Sequence, residues 1–176
     1  APNTRAEFAH CDVRQLPFAS DSFDLIVSDS TLDHFRRKSD IATGLAELSR
    51  VLKPGGTLVI TLDNRGNLTE PLFRLWISLG LYRVFIGHTY TIGELKRALV
   101  RANLKVVDST AIIHNPRFFA RGTITIVRRL VPGRFDQWLR KVLVLLDSLE
   151  QRRTKYLTGL FIAAKATKPV NREETN

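Results

Sequence analysis

Acidic, hydroxyl and amide side chains recur at the ends of runs of strand length. They are Asp12, then Ser28, Asp29 and Ser30, and further along Asp63 and Asn64. The carboxyl ends of parallel strands meet at one edge of a sheet, and open α/β sheets bind their ligands there, so these side chains are candidates for one shared site. An ionised carboxylate only accepts hydrogen bonds, which suits an amino or hydroxyl donor on a ligand. The structural alternative is that each residue forms a turn.

His34 is the residue in this region best suited to move a proton. An imidazole can remove a proton from a hydroxyl or an amine near neutral pH. Asp33 stands next to it and could support or replace it. The alternative is that both residues only shape the loop in which they stand.

The first elements along the chain alternate between strand and helix. Phe23 to Ser28 is β-branched and almost wholly apolar, which predicts a strand buried on both faces. Between Lys38 and Leu52 apolar residues recur every three or four positions, as on one face of a helix, and we expect Gly55 to cap that helix. Gly56 to Leu62 follows as another buried strand, so the three elements predict a parallel βαβ unit.

Further elements are predicted in the second half of the chain. Thr91 and Glu94 have the spacing of a capping box, which starts a helix that stops at Asn103. The later pattern predicts a strand, a helix and a last strand at Leu104 to Ser109, Arg134 to Arg153 and Leu160 to Ala166. The polar residues from Thr167 to Asn176 predict a flexible tail.

Length and composition narrow the class of protein. A chain of 176 residues suits one globular domain. The single cysteine, Cys11, excludes an intrachain disulfide framework and a four-cysteine zinc site, and we predict no metal site. No uncharged apolar run reaches about eighteen residues, so we expect a cytoplasmic protein.

Positive charge is the unusual feature of the composition. The formal net charge is +10, and Arg and Lys crowd between Arg117 and Lys155. A basic surface suits a phospholipid surface, a nucleic acid or a phosphorylated substrate. Nucleic acid is the least favoured partner, because the arginines are not interleaved with aromatic residues as in a recognised module.

Two apolar, arginine-dotted segments favour a lipid-like acceptor. Pro71 to Ile86 and Arg134 to Arg153 would suit such a molecule at an anionic membrane surface, which predicts a peripheral membrane location. The alternative is that both are helices that cover a sheet with one apolar and one basic side.

Three consecutive blocks resemble the class I, Rossmann-like S-adenosylmethionine-dependent methyltransferases, in particular the group that methylates small molecules and lipids. The blocks run from Asp12 to Phe18, from Ser22 to His34 and from Glu47 to Leu58. Their order and spacing carry the resemblance. It implies an α/β fold whose sheet has the strand order 3-2-1-4-5-7-6, with strand 7 antiparallel to the rest.

In that frame the chain begins near strand 3. Its sequence contains no Gly-x-Gly, so we expect strands 1 and 2, which carry the glycine-rich cofactor loop in the family, to be missing. Gly55-Gly56 cannot replace that loop, because it ends a helix and enters a strand. Residues 1–166 would then form the C-terminal two-thirds of a methyltransferase domain.

The resemblance implies methyl transfer from S-adenosylmethionine to a small or lipid-like acceptor. Asp12 would accept a hydrogen bond from the adenine amino group. The residues expected beside the cofactor are Cys11, Asp12, Val13, Ser28, Asp29 and Ser30. Those expected at the acceptor are His34 and Asp33 as catalytic residues, with Asp63 and Asn64 as substrate contacts.

A second class of function stays open alongside catalysis. The chain could be a non-catalytic remnant that binds a partner, or another copy of itself, through the sheet edge left by the missing strands. Glu7 to Cys11 would have no neighbouring strand, and Phe23 to Ser28 would become an apolar edge. We therefore expect the isolated chain to self-associate through that edge.

Overall fold

The structure is a computed structural model that describes residues 7–81, 86–114, 128–129, 133 and 135–170. Its elements in chain order are β1 (Phe23–Asp29), α1 (Lys38–Val51), β2 (Leu52–Asp63), α2 (Glu70–Ser78), α3 (Ile92–Arg101), β3 (Lys105–Ile112), α4 (Phe135–Ser148), α5 (Lys155–Thr158) and β4 (Phe161–Thr167). Short 3₁₀ turns lie at Leu32–His34 and Leu149–Gln151. In these ranges no helix is both long and apolar enough to cross a membrane.

The four strands form one mixed sheet in the order β1-β2-β4-β3. β1 and β2 are parallel, whereas β4 is antiparallel to both of its neighbours. This order corresponds to strands 4-5-7-6 of the expected sheet, with its last strand antiparallel as predicted. The parallel βαβ unit formed by β1, α1 and β2 is also confirmed.

The hydrophobic core lies on one face of the sheet, under α1 and α3. Alternate residues of β2 point into it, so Leu58, Ile60 and Leu62 are fully buried. They pack with apolar residues at helical spacing on the two helices, namely Ile41, Leu45, Leu48, Leu95 and Leu99. Burial of each such side chain contributes about 1.5 to 3 kcal/mol and fixes both helices on the sheet.

The prediction that β1 is buried on both faces is wrong for the part of the chain that the structure covers. Leu25 and Val27 are 58% and 65% exposed, whereas Ile26 packs against the core and Ser28 is buried. β1 is an edge strand, and its second face meets no described element. Residues 7–11 likewise form no strand and are exposed, as expected for a run that has no neighbour to pair with.

A lysine, and not the predicted glycine, caps the C-terminus of α1. The helix ends at Val51, and Gly55, with φ of +80°, lies inside β2, where the pairing with β1 is irregular. Nζ of Lys168 donates hydrogen bonds to the carbonyl oxygens of Ser49 and Leu52, both at 2.9 Å. A cation is favourable there, because the helix C-terminus carries unsatisfied carbonyl groups and the negative end of the helix dipole.

Helix α3 begins and ends as predicted. The backbone nitrogen of Thr91 donates to the Glu94 carboxylate at 2.9 Å, and the Thr91 hydroxyl accepts from the Glu94 backbone at 3.4 Å. Asn103 then takes the left-handed conformation, with φ of +58°.

Ordered structure continues past the predicted boundary at Ala166. Thr167 still pairs with Thr57 and Lys105, and Lys168 caps α1. The tail prediction is therefore wrong at its first two residues, and residues 171–176 lie outside the described residues. So do residues 82–85, 115–127, 130–132 and 134, which include part of the predicted basic and apolar segments.

Glu47 and Arg50 hold the segment that precedes β1. The Glu47 carboxylate accepts from the backbone nitrogen of Leu16 at 3.0 Å, and Arg50 donates to the carbonyl oxygens of Leu16 and Phe18 at 3.1 and 2.9 Å. The two side chains also pair with each other at 2.9 Å. Hydrogen bonds from Arg50 and from Leu16 lower the pKa of Glu47 from 4.5 to about 2.

Replacing Glu47 by Gln is expected to lower the free energy of unfolding by about 1 to 3 kcal/mol near neutral pH, because charge-assisted hydrogen bonds to Arg50 and Leu16 are lost. This difference should shrink as the pH falls from 4.5 towards about 2, since a carboxylate with a lowered pKa stabilises the folded state only while it is ionised. Urea unfolding at a series of pH values measures it. Glu150→Gln, at an exposed side chain, is the control. A difference that does not shrink in acid would contradict the assignment.

Candidate functional site

The loops that follow β1 and β2 open side by side at one edge of the sheet. Asp29 lies opposite Thr61, whose hydroxyl donates to the Asp29 carboxylate. The backbone nitrogen of Ser30 donates to the hydroxyl and carbonyl oxygens of Thr61, at 2.9 and 3.2 Å. Ser30 has φ of +43°, so the chain turns sharply as it leaves β1. The predicted meeting of the two strand ends is confirmed.

A buried carboxylate joins the two loops. Asp33 is only 2% exposed, and its Oδ2 accepts from the Ser30 hydroxyl and from the backbone nitrogen of Asp63, both at 2.9 Å. Its Oδ1 is buried and has no hydrogen-bond partner among the described atoms. Because buried polar groups are stabilised mainly by such bonds, Asp33 fixes the spacing between the loops. These contacts make it a positioning residue.

His34 is exposed, although Asp33 beside it in the same 3₁₀ turn is buried. The backbone of this turn is held from its other side. Gly87 packs against the carbonyl oxygens of Asp33 and Phe35, where a side chain would collide, and the backbone nitrogen of His88 donates to Phe35 O at 2.7 Å. His34 therefore presents an accessible imidazole on a restrained backbone.

His88 is a second imidazole at this edge, and the sequence reasoning missed it. Its ring meets the ring of Tyr90 edge-on at 5.7 Å. Burial, followed by the positive charges of Lys38 and Arg65, lowers the pKa of His88. The shift favours the neutral form of the imidazole. No local sequence motif predicts this position, because His88 is brought next to Phe35 only when the chain folds.

Arg14 links Asp12 to the ring of Phe35, the residue that follows His34. Both carboxylate oxygens of Asp12 accept hydrogen bonds from the Arg14 guanidinium, at 2.6 to 3.0 Å. Arg14 also lies over the ring of Phe35, at 5.1 Å, and pairs with Asp40 at 3.7 Å. The Arg14 hydrogen bonds lower the pKa of Asp12 to about 2, so Asp12 is ionised and retains lone pairs for a further donor.

The other residues predicted beside the cofactor do not all face the same way. Ser28 is buried and its hydroxyl has no partner in the described structure, so its side chain does not open onto the edge as expected. Asp29, the next residue, is exposed. Cys11 is exposed in the irregular segment before Asp12, and Val13 packs against the core.

Asn64 holds a loop instead of facing an open site. It is buried, and its Nδ2 donates to the carbonyl oxygens of Tyr156 and Gly159 at 2.7 and 2.9 Å. Its Oδ1 accepts from the backbone nitrogen of Gly66 at 2.9 Å. These bonds tie the end of β2 to α5 and to the loop before β4. Asp63, the other residue predicted as a substrate contact, is partly exposed.

The accessible polar groups at this edge suit a nucleoside. Asp12 and Asp29 are carboxylates that can accept hydrogen bonds from amino and hydroxyl groups, as the adenosyl part of S-adenosylmethionine would offer. They fit that end of the cofactor. The sequence has no Gly-x-Gly, so these residues do not supply the glycine-rich loop. Among the described side chains, no group of three His, Cys, Asp or Glu residues is placed to hold a metal ion.

Comparison with known proteins agrees with this geometry. Residues 1–60 match the family model described as a methyltransferase domain. The chain is 47% identical over 60 residues to a demethylmenaquinone methyltransferase of Clavibacter sepedonicus, which is 34% of this chain and 23% of that protein. It is 24% identical over 121 residues to a ubiquinone biosynthesis O-methyltransferase of Mesorhizobium japonicum, which is 65% of this chain and 47% of that protein. The chain thus spans less than half the length of these curated relatives.

The fold is found in solved structures. A S-adenosylmethionine-dependent methyltransferase from Methanosarcina mazei superposes with a TM-score of 0.60 at 18% identity. The superposition covers 94% of this chain and 68% of that one. At this identity the likeness establishes the fold.

Asp33→Ala is expected to lower the free energy of unfolding by about 1 to 3 kcal/mol, because the Ser30 hydroxyl and the Asp63 backbone nitrogen lose a buried acceptor. Asp33→Asn keeps an acceptor oxygen and should recover part of the loss. The control is Asp29→Ala, at an exposed carboxylate, which should cost less. Urea unfolding measures the stabilities, and the amide NMR signal of Asp63 reports on the loop. Equal losses for Asp33→Ala and Asp29→Ala would rule out the bridging role.

Proposed function

We propose that this segment of a class I, Rossmann-like S-adenosylmethionine-dependent methyltransferase domain serves methyl transfer to a hydroxyl group of a small or lipid-like molecule. The observation that carries the proposal is the parallel pairing of β1 and β2, which brings Asp29, His34 and Asp63 to one edge. The names of two relatives, a ubiquinone biosynthesis O-methyltransferase and a demethylmenaquinone methyltransferase, support a quinol-like acceptor.

The residues at the edge would have different roles in such a transfer. When bound, S-adenosylmethionine supplies a methyl group that its sulfonium already activates. Asp12 and Asp29 accept hydrogen bonds that orient the adenosyl part, and the loops align the acceptor and exclude water. His34 would accept the proton that the acceptor hydroxyl loses on methylation. Asp33 keeps the His34 turn in place.

An apolar acceptor is supported by a stripe of leucines on and beside α2. Successive members are four, three and four residues apart and therefore share one helix face, and they are 45% to 70% exposed. They are Leu68, Leu72, Leu75 and Leu79. Such a stripe on a protein of net charge +10 suits a hydrocarbon chain at an anionic membrane surface. A cytoplasmic protein peripheral to the membrane is part of this proposal.

The cofactor prediction is tested by calorimetric titration of S-adenosylmethionine into two proteins. One is the 176-residue chain, and the other is the chain extended through its upstream reading frame. We expect the extended protein to bind tightly and the shorter chain to bind poorly, because the glycine-rich loop is not among the 176 residues. Failure of the extended protein to bind would refute the proposed function.

The role of His34 is tested in the extended protein with labelled cofactor and a quinol acceptor. His34→Ala should lower turnover by about 100-fold or more and leave cofactor affinity unchanged, since general-base catalysis acts on the transition state. His10→Ala, at another exposed histidine, is the control. Parallel losses of turnover and cofactor affinity in His34→Ala would point to a loop-forming role.

The alternative function, partner binding through a sheet edge, is supported by the exposed face of β1. We expect light scattering to show self-association of the 176-residue chain, because Leu25 and Val27 lie exposed on an edge strand whose outer side pairs with no strand among the described residues. Val27→Lys should reduce it, since an edge lysine opposes strand pairing. Val107→Lys, at an exposed valine of β3 on the opposite edge, is the matched control. A monomeric wild-type chain would contradict this alternative.

A further inference from the structure

A groove of about 570 Å³ lies between α1 and α3. α1 connects β1 to β2, whereas α3 packs on β3 and β4. Strands added beyond the free edge of β1 would therefore lie on the far side of α1 from this groove. The groove adjoins the methyl-transfer edge at Tyr90, whose ring contacts that of His88, but it does not depend on any segment that would complete the sheet.

Small side chains give the groove an apolar floor. α1 contributes Ala42 and Ala46, whereas Ala98 of α3 and Ala102, the residue that caps α3, line the other side, each pair one helical turn apart. Tyr90 is buried and also lines the groove. The groove is within the usual size range of small-molecule sites, about 300 to 1,000 Å³, and like them combines apolar surface with a few polar groups.

Three cations line the same groove. Lys38 stands at the start of α1 with Nζ 5.6 Å from the centre of the Tyr90 ring, and Arg97 and Arg101 lie one turn apart on α3. No ion pair with a carboxylate is formed by any of the three in the part of the chain that the structure describes.

The acidic residue of the lining does not neutralise these cations. The Glu94 carboxylate accepts from Arg65 at 2.6 Å and from the backbone nitrogen of Thr91 at 2.9 Å. Three positive side chains therefore surround an apolar floor without a carboxylate partner. An anionic ligand would gain more from this arrangement than a neutral one.

We infer that the groove between α1 and α3 binds a phosphorylated small molecule that has an apolar body. The two guanidinium groups present planar sets of donors suited to phosphate oxygens, and Lys38 adds a third charge. The apolar body packs on the four alanines. This binding is independent of the proposed methyl transfer, so either can fail without the other.

The test uses n-octyl phosphate, below its micelle concentration, with the 176-residue chain. Calorimetry should detect binding, and amide NMR shifts should centre on Ala42, Ala98 and Arg101. Inorganic phosphate lacks the apolar body and should bind at least about tenfold more weakly, because it leaves the alanine floor exposed to water. Octyl glucoside, which has the same chain without charge, should not produce these shifts. Equal binding of octyl glucoside and octyl phosphate would overturn the inference.

Matched variants separate the groove from general surface charge. The double variant Arg97→Ala and Arg101→Ala should weaken octyl phosphate binding at least about tenfold, because charge-assisted hydrogen bonds are lost. Ala46→Leu, which keeps every charge and narrows the groove, should weaken it as well. Lys96→Ala removes an exposed cation on α3 outside the lining and should have no effect. Circular dichroism checks that each variant keeps its helices.

Two outcomes would contradict a defined small-molecule site. One is a loss of affinity in Lys96→Ala as large as in the double variant, which would indicate diffuse charge attraction. The other is binding to phosphatidylglycerol vesicles without binding to monomeric octyl phosphate, which would assign the basic surface to a membrane.

Discussion

The parallel register of β1 and β2 is the constraint on which the candidate site depends. It sets Asp29 opposite Thr61, so the two loops leave the sheet together and Asp33 can bond to both. A slip of one residue would exchange the faces of Ser28 and Asp29, because strand side chains alternate. The buried carboxylate would then lose its geometry. The register is fixed in turn by Leu58, Ile60 and Leu62, because their side chains must face the core.

The end of α1 joins segments that are far apart in the chain. Lys168 brings the end of β4 to the last carbonyl groups of α1, and Arg50 brings the segment before β1 to the same helix. Neither contact rests on hydrophobic burial. Both use charged side chains to satisfy backbone groups that a helix end or a loop would leave without partners. These polar contacts therefore fix the chain segments that the hydrophobic core does not hold.

Local patterns predicted what depends on local interactions. Strand and helix periodicity, the Thr91 capping box and the order of elements give β1, α1, β2, α3 and β4 and the shared edge. Contacts between distant segments escaped prediction. The Asn64 amide donates to the carbonyl oxygens of Tyr156 and Gly159, and the backbone nitrogen of His88 donates to the carbonyl oxygen of Phe35. These partners are far apart in the chain, so no local sequence pattern predicts the contacts. The inward face of Ser28 could have been anticipated from the alternation of β1, since Ile26 shares its side.

The free edge of β1 bears directly on the proposed cofactor site. In the strand order of the proposed family, strand 1 lies next to strand 4, which corresponds to β1 in this fold, and it carries the glycine-rich loop. A strand paired there would satisfy the free backbone groups of β1 and bring backbone donors to the edge that already holds Asp12 and Asp29. Helices that accompany such a strand would cover Leu25 and Val27. Under the proposed function, one added strand would both close the sheet and complete the cofactor site, so cofactor affinity and resistance to self-association should be gained together.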